Sequence, residues 1–249
     1  MRGPKVVVAL AALLLSGVAL AAAPTAEELL DATDDIARGE QSIAVVEMQV
    51  KTKRYERTMK MQAWAKGTEQ TLIRILEPAK DAGVSTLKVE DNIWNYLPKV
   101  DRTMKVPAGM MSSSWMGSHF SNDDLVRSSR MSEDFTYGIT ESPADDSPEG
   151  VYVITCIPKP DAPVVWGKVV VKVRADKLPV AIEYYDESDE LVRTMSYGEV
   201  RDFDGRQVPA TMTLTPVGDE GEFTRITYVE LDFQADVPES TFSLQALKP

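Results

Sequence analysis

The sequence predicts a mainly β protein built from antiparallel strands. After Gly39 the hydrophobic pattern changes from a helical period to a period of two. In the first such run, Val46, Met48 and Val50 alternate with polar residues. Similar short runs recur at regular spacing, separated by turn-forming pairs such as Asp204-Gly205. Because no helical pattern is interleaved between them, we expect a large antiparallel meander rather than a parallel sheet.

The predicted strands follow one another through the chain in two series. They are expected at 46–50, 59–65, 71–76, 84–89, 92–97, 102–106, 135–140, 151–157, 168–174, 180–185, 191–197, 208–215 and 223–233. In the runs at 72–76 and 93–97, large apolar side chains occur at both odd and even positions, so they point to both faces of the strand. A strand with one solvent-exposed face would instead alternate apolar and polar residues. Both faces of these strands are therefore expected to be covered, either by the protein's own elements or by a bound apolar ligand.

The first 23 residues have the three parts of a secretory signal peptide. Arg2 and Lys5 supply positive charge, residues 6–20 form an apolar run, and small alanines follow. The run is shorter than the roughly 20 residues of a membrane-spanning helix. Ala19-Leu20-Ala21 fits the small-x-small rule, so we expect cleavage after Ala21 and export to the periplasm. Residues 22–249 are then expected to form a single domain.

The mature domain is expected to open with one helix. Thr25-Ala-Glu-Glu28 matches a capping box, in which the threonine hydroxyl accepts from a backbone amide and the glutamate reaches back. Leu29, Thr33 and Ile36 fall on one face, and Gly39 is a typical helix stop.

Charge and cysteine content exclude several classes of protein. The formal charge is −12, and it becomes −14 once Arg2 and Lys5 are removed. Such a surface repels nucleic acid, so no nucleic-acid partner is expected. The single cysteine, Cys156, excludes an internal disulfide. Because it lies within the apolar run 151–157, we expect it to be buried as a packing residue.

The sequence offers little to an enzyme. His119 is the only histidine, which excludes multi-histidine metal sites, and we expect it to be a solvated loop side chain. Neither a Gly-x-Ser-x-Gly nucleophile elbow nor a Walker loop occurs. We therefore predict a protein that is not an enzyme, with no catalytic residues, no metal and no cofactor.

Residues 107–130 match neither a strand nor an ordinary loop, and we call them the lid segment. Between Pro107 and Ser121 the segment combines small flexible residues with five large apolar ones: Met110, Met111, Trp115, Met116 and Phe120. Ser121 is expected to be the N-cap of a short helix that runs through Arg127. A long apolar insertion between strands is typical of a functional cover, and methionine suits variable apolar shapes. Two interpretations stay open: a lid over a ligand, or an inert plug.

Three motifs in this region resemble a known family. They are Asn92-Ile-Trp-Asn-Tyr-Leu-Pro98, Arg102-Thr-Met-Lys-Val-Pro107 and Trp115-Met-Gly-Ser-His-Phe-Ser-Asn-Asp-Asp-Leu125. Together they resemble the outer-membrane lipoprotein-sorting (LolA-like) family, and most closely the branch that reads Gly-Ser-x-Phe-Ser-x-x-Asp-Leu. The terminal Ser240-Thr-Phe-Ser-Leu244 also matches. The resemblance covers nearly the whole mature chain and implies an incomplete antiparallel β-barrel, or half-barrel, closed by helices around an apolar cavity.

The resemblance also implies a function and a site. We expect a monomeric periplasmic carrier that shelters a lipid or the acyl chains of a lipoprotein for transfer toward the outer membrane. Its partners would be an inner-membrane transporter and an outer-membrane acceptor. The five apolar residues of the lid segment are expected to cover the cavity. The expected cavity wall is formed by Trp64, Leu72, Trp94, Tyr96 and Met104. Which strand face points inward is left open.

Two further alternatives follow from the resemblance. Related carriers hold their lid with an arginine, for which Arg102 and Arg127 are the candidates in this sequence. The competing function is a periplasmic lipid-sensing or regulatory binding protein of the envelope stress type. A sensor would use the same concavity but would not hand its lipid to a membrane.

Overall fold

The computed structural model describes residues 23–127, 131–144 and 147–248. The predicted signal peptide at 1–21, its cleavage site and residues 128–130 of the lid segment lie outside the described residues. In the described part, thirteen strands form one sheet. They are β1 (Gln41–Lys51), β2 (Glu56–Lys66), β3 (Gln70–Glu77), β4 (Ser85–Val89), β5 (Asn92–Leu97), β6 (Arg102–Lys105), β7 (Phe135–Glu141), β8 (Val151–Pro158), β9 (Lys168–Arg174), β10 (Pro179–Tyr185), β11 (Leu191–Phe203), β12 (Arg206–Pro216) and β13 (Phe223–Asp232).

The sheet is a pair of antiparallel meanders joined in the middle. Strands β1 to β6 pair in sequence order, and so do β7 to β13, while β1 pairs with β13 to join the two series. Strands β6 and β7 are the two edges, so the sheet is open and does not close into a barrel. The half-barrel meander expected from the sequence is confirmed, and every predicted strand is present.

Strand β11 is longer than the sequence predicted. The apolar alternation ends near Tyr197, but the strand continues to Phe203 because its polar end pairs with β12, with Arg201 opposite Val208. The hairpin closes at Asp204-Gly205, where φ is +55° and +82°. Two consecutive left-handed residues give the turn that matches the twist of paired strands.

Within the described residues, three α-helices accompany the sheet: α1 (Ala26–Asp35), α2 (Asn122–Arg127) and α3 (Met131–Asp134). The capping box of α1 is confirmed, since the Thr25 amide donates to Glu28 Oε2 (2.9 Å) and the Glu28 amide donates to Thr25 Oγ1 (3.2 Å). Leu29, Leu30 and Thr33 are buried on one helical face. Arg206 of β12 fastens the end of α1 by donating to the Asp35 backbone oxygen (2.7 Å) and carboxylate (2.9 Å).

The topology determines where the lid segment runs. It connects β6 to β7, and these strands are the opposite edges of the sheet. The connection therefore has to pass across one face of the sheet, which we call the inner face. Val46, Met61 and Ile73 lie on this face in the first half of the sheet, and Met195 and Ile226 lie on it in the second. Helix α1 packs on the same face, beside β7 and β9.

The opposite, outer face of β3 to β5 is covered by the C-terminal segment, residues 233–248. Val237, Phe242 and Leu247 from this segment pack with Leu72 and Leu87 in a second apolar cluster. Arg74 holds the segment in place by donating to the Ala246 backbone oxygen (2.5 Å). This cover explains why β3 and β5 are apolar in both phases, as the sequence indicated.

The C-terminal cover is expected to stabilise the whole domain. Phe242 is only 6% exposed, whereas Leu244, two residues away, is 47% exposed. Replacing Phe242 with alanine should lower the free energy of unfolding by about 3 kcal/mol, because it removes a buried aromatic ring and leaves a cavity. Leu244→Ala should cost less than about 0.5 kcal/mol. Denaturant unfolding of both variants checks this, and equal losses would contradict the proposed role of the cover.

Candidate functional site

A cavity of about 280 Å³ lies between the inner face, helix α1 and the lid segment. Its volume is near the lower end of the range of about 300–1,000 Å³ that is usual for small-molecule sites. The lining is mainly apolar. It includes Ala44, Val46, Met61, Ala63, Ala65, Ile73, Trp115, Phe120, Leu125, Met131, Phe135, Val164, Trp166, Met195, Met212, Leu214 and Ile226. The inner surface of the sheet is therefore not filled by the protein's own side chains.

Small residues in the middle of the sheet create the space. Ala44 on β1 and Ala63 and Ala65 on β2 point into the cavity, while Trp64 between them points to the outer face. Because successive strand residues face opposite sides, the large tryptophan packs under the C-terminal cover and the alanines leave room on the inner side.

The lid segment presents two aromatic side chains to the cavity. Trp115 is 3% exposed and Phe120 is 9% exposed, and both line the cavity. The Trp115 indole donates to Thr86 Oγ1 (3.1 Å), and the Thr86 hydroxyl donates to Asn95 Oδ1 (2.7 Å). The Trp115 amide also donates to the Phe120 backbone oxygen (2.7 Å). The lid segment is thus a tight loop that is fastened to strands β4 and β5.

The tip of this loop is a turn at Met116 and Gly117, where φ is +50° and +67°. A Cβ atom at Gly117 would lie 2.9 Å from the Tyr55 hydroxyl, so both the left-handed conformation and the close approach require glycine. Tyr55 and Arg57, at the β1–β2 hairpin, donate to the backbone oxygens of Gly117 and Met116. The hairpin holds the tip of the lid segment from the outside.

The structure separates the predicted lid residues into two groups. Trp115 and Phe120 line the cavity as expected, but Met110, Met111 and Met116 do not. Met110 is 53% exposed, because residues 108–110 form a short 3-10 turn on the solvent side. Met116 lies in a shallow cleft with Met59 instead. The side chain of Asn122 fixes the solvent-side turn by donating to the Met110 backbone oxygen (3.0 Å).

The predicted cavity wall needs correction, because none of its five residues lines the cavity. Trp64, Leu72, Trp94 and Tyr96 belong to the apolar cluster on the outer face. Met104 is opposite Asn95 in edge strand β6 and is 37% exposed. The physical reason is that the large side chains in these strands pack beneath the C-terminal cover.

His119 also differs from the prediction of a solvated loop side chain. Its backbone amide donates to Thr224 Oγ1 (3.0 Å), and its ring Nδ1 lies 2.8 Å from the same oxygen. Its Nε2 lies 3.3 Å from Glu222 Oε2, and the side chain is only 16% exposed. His119 therefore fastens the lid segment to β13, next to Trp115 and Phe120 in the loop.

A buried ion pair joins the lid segment to the second half of the sheet. Arg193 on β11 donates to both carboxylate oxygens of Asp124 in α2, at 2.9 and 2.5 Å. The guanidinium carbon lies 4.4 Å from the ring centres of both Trp166 and Tyr184. Burial by itself lowers the pKa of Arg193, but the hydrogen bond and charge of Asp124 raise it above its usual value, so the arginine stays charged.

Asp124 has a second role at the start of α2. Its backbone amide donates to Ser121 Oγ (3.1 Å), and the Ser121 amide donates back to Asp124 Oδ2 (2.7 Å). The predicted N-cap at Ser121 is confirmed, and the same carboxylate both caps the helix and holds Arg193.

Sequence reasoning missed Arg193. The candidates for a lid arginine were Arg102, which is exposed on β6, and Arg127, of whose side chain nothing is described. A signal existed: Arg193 is in phase with Met195 and Tyr197, so a charged residue occupies the inward phase of a strand. Trp166, which also lines the cavity and was not predicted, precedes β9 and has no comparable signal in the sequence.

Part of the cavity lining is polar. Asp34 on α1 and Tyr184, Tyr197 and Tyr228 on the sheet form this part together with Arg38. Burial raises the pKa of Asp34 from 3.8 to about 7, with Arg38 opposing the shift. Burial also raises the pKa of each of the three tyrosines above its usual value, so their hydroxyls stay protonated near neutral pH.

Cys156 is buried in β8, as the sequence predicted. Burial raises the pKa of its thiol to about 12, and the nearby Asp34 adds to the shift. A protonated, inaccessible thiol is a poor nucleophile and a poor metal ligand. Within residues 23–127, 131–144 and 147–248, no group of three or more His, Cys, Asp or Glu side chains is placed to hold a metal ion.

None of the helices in the described part of the chain combines the length and the apolar character that a membrane crossing requires.

A family model described only as that of an uncharacterised protein matches residues 67–249, which is more than half of the chain. The chain belongs to this family of uncharacterised proteins. No curated protein matches the sequence.

Solved structures share the fold over most of their length. A DUF1329 family protein from Desulfovibrio piger is 21% identical, with 88% of this chain and 96% of that chain covered and a TM-score of 0.78. A domain titled as an outer-membrane lipoprotein-sorting protein, from Vibrio parahaemolyticus, is 23% identical, with coverage of 87% and 95% and a TM-score of 0.73. A LolA superfamily protein from Nitrosomonas europaea is 22% identical, with coverage of 90% and 100% and a TM-score of 0.72. The fold is therefore LolA-like, which confirms the resemblance seen in the sequence at the level of the fold.

Removing one partner of the Arg193–Asp124 pair should strongly destabilise the fold. Asp124→Ala leaves a buried charge without its partner, so the free energy of unfolding should fall by about 3–5 kcal/mol. The double variant with Arg193→Met should lose less than the sum of the single losses, because neither charge is then left alone. Asp219→Ala removes the exposed pair with Lys53 and should cost less than about 1 kcal/mol. Additive losses in denaturant unfolding would argue against the coupling.

Asp34 should make stability depend on pH. Its pKa is about 7 in the folded protein and near 3.8 when exposed, so folding favours the protonated carboxyl. This contribution is complete below pH 4 and is lost as the pH rises through 7. Asp34→Asn should therefore be more stable than the natural protein by about 2 kcal/mol at pH 8, with a smaller difference toward pH 4. Asp31→Asn, at an exposed position of the same helix, is the control. Thermal unfolding of the natural protein and both variants between pH 4 and pH 8 is the measurement.

Proposed function

We propose that this protein binds an acyl chain of a lipid or lipoprotein in its cavity and carries it through the periplasm toward the outer membrane. The observation that supports the proposal is the apolar cavity between the sheet and the lid segment, in a fold shared with a domain titled as a lipoprotein-sorting protein. No catalytic step is part of this function, because binding and release are sufficient for carriage.

Burial of an apolar chain supplies the affinity. Each methylene transferred from water contributes about 0.8 kcal/mol. The floor of the cavity carries small and flexible side chains such as Ala63, Met61 and Met195, which adapt to a chain of variable shape. Because the closed cavity is small, it suits a single acyl chain. Larger cargo requires movement of the lid segment.

Opening of the lid segment is the step at which cargo enters and leaves. Several contacts hold the segment closed: the Trp115 indole on Thr86, the Asp124–Arg193 pair, His119 on Thr224, and the Tyr55 and Arg57 bonds to the tip of the segment. These contacts are polar, and a partner protein can compete for them without any nucleotide or covalent chemistry. An inner-membrane transporter that loads the cavity and an outer-membrane acceptor that empties it are the partners we propose.

Filling the cavity should abolish lipid binding without adding charge. In Ala63→Phe the new ring occupies the space above β2, so lipid extracted from the purified protein should fall at least about tenfold, in line with the loss of several buried methylenes. Ala181→Phe places the same ring on β10, outside the cavity lining, and should leave the lipid content unchanged.

Native mass spectrometry with lipid extraction, on protein purified from its own periplasm, is the measurement. Unchanged lipid in Ala63→Phe, or no lipid in the natural protein, would contradict the proposal. Transfer of a bound fluorescent lipid to acceptor vesicles then distinguishes a carrier from a lipid sensor, which would retain its ligand.

A further inference from the structure

The polar side of the cavity contains groups whose hydrogen-bonding capacity is unused. Four polar groups line the cavity without a hydrogen bond to another described residue: the Asp34 carboxyl and the hydroxyls of Tyr184, Tyr197 and Tyr228. We call these four residues the tyrosine patch. Polar groups enclosed away from bulk water are normally satisfied, so four open ones in one cavity indicate a binding partner.

The tyrosine patch is built from three strands and one helix. Tyr184 lies on β10, Tyr197 on β11 and Tyr228 on β13, each in the inward phase of its strand. Asp34 reaches the same space from α1, and its charge influences Tyr184 and Tyr197. Rigid elements on opposite sides of the cavity therefore hold the four groups close together.

The two arginines beside the tyrosine patch already interact with other groups. Arg193 is bound to Asp124, and Arg38 acts on Asp34 and has interactions of its own. An anionic head group would lose its hydration without gaining a free countercharge, and a cationic one would meet only Asp34, whose raised pKa disfavours its charged form. A hydroxyl group, in contrast, can donate to the Asp34 carboxyl and accept from protonated tyrosines.

We propose that the tyrosine patch recognises the hydroxyl-bearing, uncharged head of an amphiphile whose apolar body lies along Ala63, Trp115 and Phe120. The ligand class is a neutral lipid alcohol, such as one with a glycerol or sugar head. This inference rests on the proposed function and deepens it, because it specifies which end of the cavity takes the head of the lipid.

Two probes with the same chain test the patch: the glycerol monoester and the methyl ester of palmitic acid, each displacing a fluorescent fatty-acid analogue from the full-length mature protein. The natural protein should bind the glycerol ester about tenfold more tightly, since two hydroxyl groups each add a hydrogen bond. Tyr197→Phe and Tyr228→Phe should each lower this preference by at least about threefold. Tyr185→Phe, outside the cavity lining, is the matched control.

The outcomes separate the two proposals. If the natural protein binds neither ester, the proposed function fails and the patch proposal fails with it. If it binds both esters equally, or if the phenylalanine variants keep the preference, the patch proposal is overturned and the lipid-binding function stands. Palmitate itself is the third probe. If this anion binds more tightly than the glycerol ester, and Arg38→Gln removes the difference, the assignment of a neutral head group is overturned.

Discussion

The structure depends on one topological constraint, which is that consecutive strands β6 and β7 form the two opposite edges of a single open sheet. The chain between them has to travel the full width of the sheet, and it does so across the inner face. A cover over that face is therefore a necessary result of the strand order. Its detailed position comes from a few polar contacts, among them the Trp115 indole on Thr86, and the space left beneath it is the cavity.

Much of the fold could be predicted because its signals are local. Period-two alternation identified the strands, and the Thr25–Glu28 capping box located the first helix. The cavity wall could not be predicted in this way, since β3 is apolar in both phases and periodicity does not tell which phase faces inward. The choice of large residues was misleading for a physical reason: a cavity is lined by small side chains such as Ala63 and Ala65, while Trp64 marks the packed face.

The ion pair between Arg193 and Asp124 illustrates a second limit of sequence reasoning. The two residues are 69 positions apart, and nothing local to either one indicates the other. Replacement of such a pair by apolar residues is often neutral for stability, so its value here is better sought in specificity. The pair therefore determines where α2 docks on the sheet, and the neighbouring Trp166 and Tyr184 rings, whose centres are 5.0 Å apart, pack against the guanidinium.

The open sheet has a further consequence, which concerns self-association. An unpaired edge strand exposes backbone donors and acceptors that can recruit another copy of the same sheet. Strand β6 is only four residues long and carries Arg102 and Lys105. Strand β7 is interrupted by an irregular register between Ile139 and Glu141. Short length, positive charge and a bulge each obstruct edge-to-edge pairing, so the fold can leave its barrel unclosed without becoming a template for aggregation.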